Sequence, residues 1–297
     1  VLLEAKEDGK IKTLAFTGDL GRQSAPILKS PEAIKEKTDW LISECTYGNR
    51  VHQSMHEVGN KLASIIYNAI AKGGKIVIPA FSLGRTQEIV YILHKLAKQG
   101  KIPTIPIYID SPLTANITEI FRESHERFDE DFQKDFGKEQ ESPFDSANIF
   151  YTKTVEESKA LNEKQGPFII ISASGMAEGG RILHHLKNNI ENENNTILIA
   201  GYQAENTLGR RIRDGISPVK IYGELYNVKA KVITLNEFSA HADQKELLDY
   251  IKSLNGLEKV FLVHAEMPQA EPFAKVLKDA LPGLSVEIPQ QGQSENL

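Results

Sequence analysis

The chain reads as an α/β protein, and three observations carry that reading. Short apolar runs alternate with longer helical patterns along most of its length. Several of those runs stop abruptly on an acid or a histidine. Glycine-containing turns follow many of them and open the next helical pattern. Residues at the carboxyl ends of buried strands face the crevice in which α/β proteins bind ligands.

In order, Lys12 to Thr17 reads as a strand stopping at Gly18-Asp19, and Trp40 to Ser43 as one stopping at Glu44, followed by Thr46-Tyr47-Gly48. A helical stretch runs from about Glu57 to Ala71 and ends at Gly73-Gly74. Lys75 to Pro79 is a short buried strand, and Ser82 to Arg85 turns into a helix over Thr86 to Lys98. Ile105 to Ile109 is a strand closing on Asp110-Ser111-Pro112. One longer helical region is expected over Leu113 to Phe136, then a polar surface loop over Gly137 to Asn148. Phe168 to Ser172 is a strand, and Gly179-Gly180-Arg181 leads into a helix over Ile182 to Asn189. Thr196 to Ala200 is a strand ended by Gly201-Tyr202-Gln203, and Thr207-Leu208-Gly209-Arg210 opens a helical turn. Lys229 to Leu235 is a strand, and the segment Phe238 to Asp243, with His241, opens an amphipathic helix over Gln244 to Leu254. Val260 to Val263 is a strand stopping at His264; a helix over Glu271 to Leu281 and a strand around Ser285 to Pro289 follow.

With 297 residues, 40% hydrophobic and 25% charged, the chain is long enough for one large domain or two ordinary ones. The one cysteine, Cys45, excludes a disulfide framework and fits a reducing, cytoplasmic compartment; it reads as a small buried filler. A net charge of −5 argues weakly against nucleic acid, although a local basic groove or bound divalent cations would offset it. No apolar run approaches the ~20 residues of a membrane helix, so no membrane association is expected. The chain opens at Val1, close to a strand, and an N-terminal portion is expected to be missing.

Asp19, Glu44, His241 and His264, gathered at strand ends, point to a metal-assisted hydrolase. Gly-Arg pairs recur at strand-to-helix turns, at Gly84-Arg85, Gly180-Arg181 and Gly209-Arg210. A helix N-terminus with an arginine favours phosphate, so Ser82, Arg85, Ser174, Arg181 and Arg210 are candidate phosphate contacts for a phosphate-rich ligand. The competing explanation is that the glycines serve tight turns and the arginines pair with neighbouring acids.

Thr17-Gly18-Asp19, Glu44-Cys45-Thr46-Tyr47-Gly48, Ser239-Ala240-His241-Ala242-Asp243 and Val263-His264-Ala265-Glu266 resemble, in that order, motifs of the metallo-β-lactamase-fold β-CASP ribonucleases. Pro79 to Arg85, Asp110 to Leu113, Ser174 to Met176 and Gly201 to Gln203 also look like that family. The similarity is to the nuclease subunit of the cleavage and polyadenylation factor and its bacterial and archaeal relatives. It implies a partial metallo-β-lactamase αββα sandwich, residues 1–47 and 235–297, with an inserted β-CASP α/β domain, residues 48–234. It also implies two Zn2+ ions, whose remaining ligands would lie in a His-x-His-x-Asp-His motif and a third-motif histidine that this portion lacks, leaving it alone inactive. Asp19 resembles the aspartate that bridges the metals, and His264 a histidine ligand. Glu44 and His241 resemble the pair that handles the proton, His241 donating to the leaving oxygen while Glu44 holds its other ring nitrogen.

The implied activity is hydrolysis of RNA to a 3′-hydroxyl and a 5′-phosphate, by an endonuclease or a 5′-to-3′ exonuclease. DNA-directed members typically carry valine where this chain has His264, which favours RNA over a DNA-processing role. A noncatalytic RNA-binding scaffold and a small-molecule hydrolase are also compatible with parts of the pattern. Relatives often dimerise, so the resemblance admits a homodimer, although no heptad or interface stripe calls for one.

Overall fold

The computed structural model describes residues 1–7, 9–23, 25–124, 126, 128–138, 142–235 and 238–294. In chain order the elements begin with β1 (Leu2–Glu7), β2 (Lys10–Phe16), β3 (Trp40–Glu44), α1 (Met55–Ala71), β4 (Ile76–Pro79), α2 (Arg85–Lys98), β5 (Ile107–Ile109) and α3 (Pro112–Glu123). Next come α4 (Glu130–Lys138), β6 (Ile149–Tyr151), α5 (Val155–Glu163), β7 (Ile169–Ser172), α6 (Ile182–Asn189), β8 (Thr196–Ala200) and α7 (Leu208–Arg213). The last are β9 (Val219–Ile221), β10 (Glu224–Tyr226), β11 (Lys231–Leu235), α8 (Gln244–Lys252), β12 (Lys259–Val263), α9 (Met267–Ala280) and β13 (Ser285–Glu287). The chain divides into two compact units, Val1–His52 with Ala240–Leu297, and Gln53–Ser239. Among the described residues no helix is long and apolar enough to cross a membrane.

The discontinuous unit is built on a five-stranded sheet ordered β1-β2-β3-β12-β13. Only β1 and β2 pair antiparallel; β2, β3, β12 and β13 run parallel. Leu41, Val260 and Leu262, on one face of this sheet, pack in one core with Leu247 and Ile251 of α8 and Phe273 and Leu277 of α9. The register pairs Val263 with Glu44, so the ends of β12 and β3 lie level. Helix α9 starts at Met267, four residues before the sequence suggests, and runs through Pro272. Proline leaves the carbonyl four residues back without its helical donor. Here that carbonyl is Pro268 O, and Asn49 Nδ2 donates to it at 3.2 Å.

The other unit holds a six-stranded, wholly parallel sheet ordered β11-β8-β4-β7-β5-β6, with β9 and β10 forming a separate antiparallel pair. Every residue of β4, β7 and β8 is buried, which explains their unbroken apolar runs. A capping box between Ser54 and Glu57 starts α1 two residues before the sequence suggests.

The expected helix over Leu113 to Phe136 is two helices, α3 and α4. Between them Phe128 stacks on Phe121 with ring centroids 4.9 Å apart and meets Phe132 edge-on at 5.6 Å, so burying the aromatic rings bends the chain. Within the expected loop over Gly137 to Asn148, residues 139–141 lie outside the described residues, and Phe144 is fully buried. β1, the three-residue strands β6, β9 and β10 and the helix α5 are additions to the elements read from the sequence.

Asp110 follows β5 and is wholly buried. Arg181 Nη1 donates to its Oδ1 at 2.7 Å, and Ser158 Oγ and His185 Nε2 approach its Oδ2 at 2.5 Å each. The Thr152 hydroxyl completes the set. Burial opposes ionisation, but the hydrogen bonds from His185, Ser158, Thr152 and Arg181 together hold the carboxyl well below the usual carboxylate range. A depressed folded pKa means that stability is present above the unfolded value of about 3.9 and is lost as pH falls below it. Asp110→Asn should therefore cost about 3 kcal/mol or more in urea unfolding at neutral pH and flatten the acid side of the stability profile. An unchanged midpoint would contradict the role assigned to this carboxylate.

Candidate metal centre

All four residues singled out for chemistry, Asp19, Glu44, His241 and His264, lie in the discontinuous unit. The parallel sheet brings them together: Asp19 follows β2, Glu44 ends β3 and His264 follows β12, three neighbouring strands. His241 reaches the same place from the segment before α8, where Ala242 N donates to Leu20 O at 2.8 Å and Gly21 bridges His241.

Glu44 is the most enclosed of the four, with 1% of its side chain exposed. Its Oε1 accepts from Leu20 N–H at 2.9 Å, and its Oε2 from Thr46 N–H at 3.1 Å. His241 Nδ1 lies 2.9 Å from Oε1. An ionised carboxylate only accepts, so this contact puts a proton on Nδ1 and leaves Nε2 as the second functional nitrogen of the ring.

Asp19 and His264 are exposed, at 70% and 58% of their side chains, and His264 Nδ1 stands 3.4 Å from Asp19 Oδ1. His264 has φ +54°, the left-handed region, which costs a side-chain-bearing residue about 1–2 kcal/mol. Thr46 holds it there: its Oγ1 donates to His264 O at 3.1 Å and lies 3.3 and 3.4 Å from the Nδ1 atoms of His264 and His241. Sequence reasoning gives Thr46 no role beyond its place in a motif. A hydroxyl two residues after a strand-ending acid is a visible signal, but nothing in the spacing says that it meets His264.

Asp19, His241 and His264 each offer one ligand atom, and the three atoms lie within 4.8 Å of one another. Two zinc bonds of about 2.0–2.1 Å at a tetrahedral angle set their donors about 3.4 Å apart, the separation of Asp19 Oδ1 and His264 Nδ1. A carboxylate with imidazole nitrogens is a borderline donor set that suits zinc and also accepts manganese or iron. These residues fit a metal ion.

The neighbours are structural. Asp243 caps α8 through a capping box with Glu246 and accepts from His52 N–H at 2.8 Å. Tyr47 is buried, with its ring 4.6 Å from that of His52. The Cys45 thiol is pushed up to about 12 by burial and by the Glu44 charge, which makes it a poor nucleophile.

The five candidate phosphate contacts belong to the other unit. Ser82 Oγ lies 3.4 Å from Ser111 Oγ, and Ser174 Oγ accepts from Glu178 N–H at 3.1 Å. Each arginine has an acid: Arg85 pairs with Glu88, Arg181 with Asp110 at 2.7 Å, and Arg210 with Asp214 at 2.6 Å. This arrangement matches the competing explanation, in which the arginines serve neighbouring acids. Arg85 is 7% exposed, whereas the side chains of Arg181 and Arg210 retain 20% and 24% exposure.

Two domain families and three relatives place the chain among known proteins. The family described as the Beta-Casp domain matches residues 86–212, and the one described as the Zn-dependent metallo-hydrolase RNA specificity domain matches residues 225–289. "Ribonuclease TTHA0252" of Thermus thermophilus is 36% identical over 287 residues, 96% of this chain and 64% of that protein. An "RNase J-like protein" of Methanocaldococcus jannaschii is 32% identical over 268 residues, 90% of this chain and 61% of its own. "Transcription termination factor FttA" of Methanothermobacter thermautotrophicus is 31% identical over 262 residues, 85% of this chain and 41% of its own. The chain thus spans less than two thirds of the length of each.

Gly48, which ends the turn after Glu44, gives the site's tightest packing test. A Cβ there would meet Phe273 Cβ at 2.7 Å and Gln269 O at 2.8 Å, both on α9. Gly48→Ala should destabilise the protein by about 1–3 kcal/mol, read from the urea midpoint. A neutral effect would mean that the turn and α9 are less closely apposed.

Proposed function

The chain belongs to the β-CASP family of metallo-β-lactamase-fold ribonucleases, and on that premise we propose that it forms part of a zinc-dependent RNA phosphodiesterase acting in RNA processing or decay. Residues 1–47 and 235–297 are its metal-binding portion and residues 48–234 the inserted β-CASP domain. Asp19 and His264 would be among the ligands of a two-zinc site. Bound metal supplies Lewis acidity, which lowers the pKa of water and offsets charge on the phosphoryl oxygens.

In the reaction a water oxygen bonds to phosphorus, its proton passing to solvent, and the bond from phosphorus to the 3′ oxygen breaks, leaving a 3′-hydroxyl and a 5′-phosphate. The leaving 3′ oxygen takes its proton from His241. Glu44 accepts from Nδ1 of that ring at 2.9 Å, fixing its tautomer and direction. Removing the carboxylate would take away the acceptor that sets the direction of Nδ1. The observation that carries this reading is the adjacency of a Glu44–His241 pair to an Asp19–His264 pair in one unit. Ser82, Arg85, Ser174, Arg181 and Arg210 remain proposed RNA contacts; the partly exposed Arg181 and Arg210 have the better access. A cytoplasmic setting and a homodimer complete the reading, and the single cysteine, Cys45, is a buried free thiol consistent with reducing conditions.

The test uses the full-length protein with matched RNA and DNA strands and measures bound metal alongside turnover. His241→Gln should keep the zinc content and lower kcat by about 100-fold to 10,000-fold. His264→Ala should lose zinc and activity together. Loss of zinc in His241→Gln would make His241 a ligand and not the proton donor, and preference for DNA would overturn the substrate. Zinc-free, inactive wild-type protein would leave an RNA-binding scaffold.

A further inference from the structure

Within Gln53–Ser239 the six-stranded sheet ends on β6, and a cavity of about 870 Å³ opens beside that strand. Tyr108 of β5 and Phe150 of β6 line it, and the parallel register sets the two residues opposite each other on one face of the sheet. Their rings stack with centroids 5.2 Å apart and planes 23° from parallel. Phe168 meets Tyr108 edge-on at 5.3 Å, so the pair is backed by the core. Phe150 nevertheless remains 44% exposed. A half-exposed ring on a fixed aromatic backing is a stacking platform.

The charges around the platform are unequal in availability. Glu119 is paired with Arg122 at 2.6 Å. Glu157 accepts from the N–H groups of Lys153 and Thr154 at 2.7 and 3.0 Å, capping α5. Both acids are engaged within the fold, and of the lining acids only Glu163 is left facing the cavity without such a role. Lys153 and Lys164 also line it. Among the described residues neither ammonium has a carboxylate partner; Lys164 Nζ lies 5.5 Å from the Tyr108 ring centre, against an aromatic face.

We propose that this cavity is a second contact site for single-stranded nucleic acid, in which a base stacks on Phe150 while Lys153 and Lys164 take the flanking phosphates. A flat π-face beside two available ammonium groups matches a base and its backbone, and stacking tolerates any sequence. An extended peptide would use the main-chain edge of β6 and would need neither lysine. The site uses none of Asp19, Glu44, His241 and His264, so binding there is separable from hydrolysis.

The experiment measures fluorescence anisotropy of a labelled oligoadenylate with the full-length protein. Phe150→Ala should weaken binding about tenfold, and Phe150→Trp should retain it. Lys153→Glu with Lys164→Glu should weaken binding and flatten its salt dependence. Thermal melting and hydrolysis of bis-p-nitrophenyl phosphate should match wild type in all of these variants. Wild-type affinity in both Phe150→Ala and the double lysine variant would overturn the proposal. Equal competition by AMP and by unlabelled strand would also overturn it, because the cavity would then be a mononucleotide pocket. Strand binding that depends on Phe150 in a protein that hydrolyses no phosphodiester would sink the function proposed above and leave this site standing.

Discussion

The Glu44 carboxylate is the constraint from which the candidate metal centre follows. A buried charge is costly unless hydrogen bonds replace its water. Here the replacements come from three separate segments: Leu20 after β2, Thr46 after β3 and His241 before α8. Satisfying one acid therefore fixes three loops at once. Asp19 is the residue before Leu20, and Thr46 in turn anchors the main chain of His264. The exposed pair is held by contacts that radiate from the buried one, which is how a solvent-facing site keeps its geometry.

The second unit uses the same device. Asp110, just past β5, is buried and gathers donors from Thr152, Ser158, Arg181 and His185. In both sheets a strand delivers an acid to its carboxyl end, and the loops organise around that acid. The difference lies in access. Asp110 and His185 are fully buried and serve the fold, whereas His241 keeps 20% of its side chain exposed beside two exposed donors. An acid at a strand end is thus compatible with a structural or a chemical role, and the accessibility of its partner separates the two.

Much of the architecture is legible in the sequence because buried parallel strands write continuous apolar runs, and β4, β7 and β8 are buried at every position. The elements that escape are short or weakly patterned. β6 is three residues at a sheet edge, and α5 buries only Ser158 and Leu161, so neither leaves a periodic signal. The break between α3 and α4 depends on Phe128 meeting Phe121 and Phe132 in three dimensions. The donor to Pro268 O, the carbonyl that Pro272 leaves unpaired in α9, comes from Asn49, 219 residues away. At the site, residue types and strand-end positions point to Asp19, Glu44, His241 and His264, but only tertiary contact places Thr46. The arginines carry the same lesson. Glu88 and Asp214 lie three and four residues from their partners, whereas the Asp110 partner of Arg181 lies 71 residues away.

Anomalous diffraction at the zinc edge, on crystals of the full-length protein, would locate the metal. Zinc is expected on Asp19 and His264, with His241 Nδ1 still hydrogen-bonded to Glu44 and His241 outside the coordination sphere. Zinc bound through His241 with the Glu44 contact broken, or zinc bound away from Asp19 and His264, would contradict the division of these four residues into a metal pair and a proton pair.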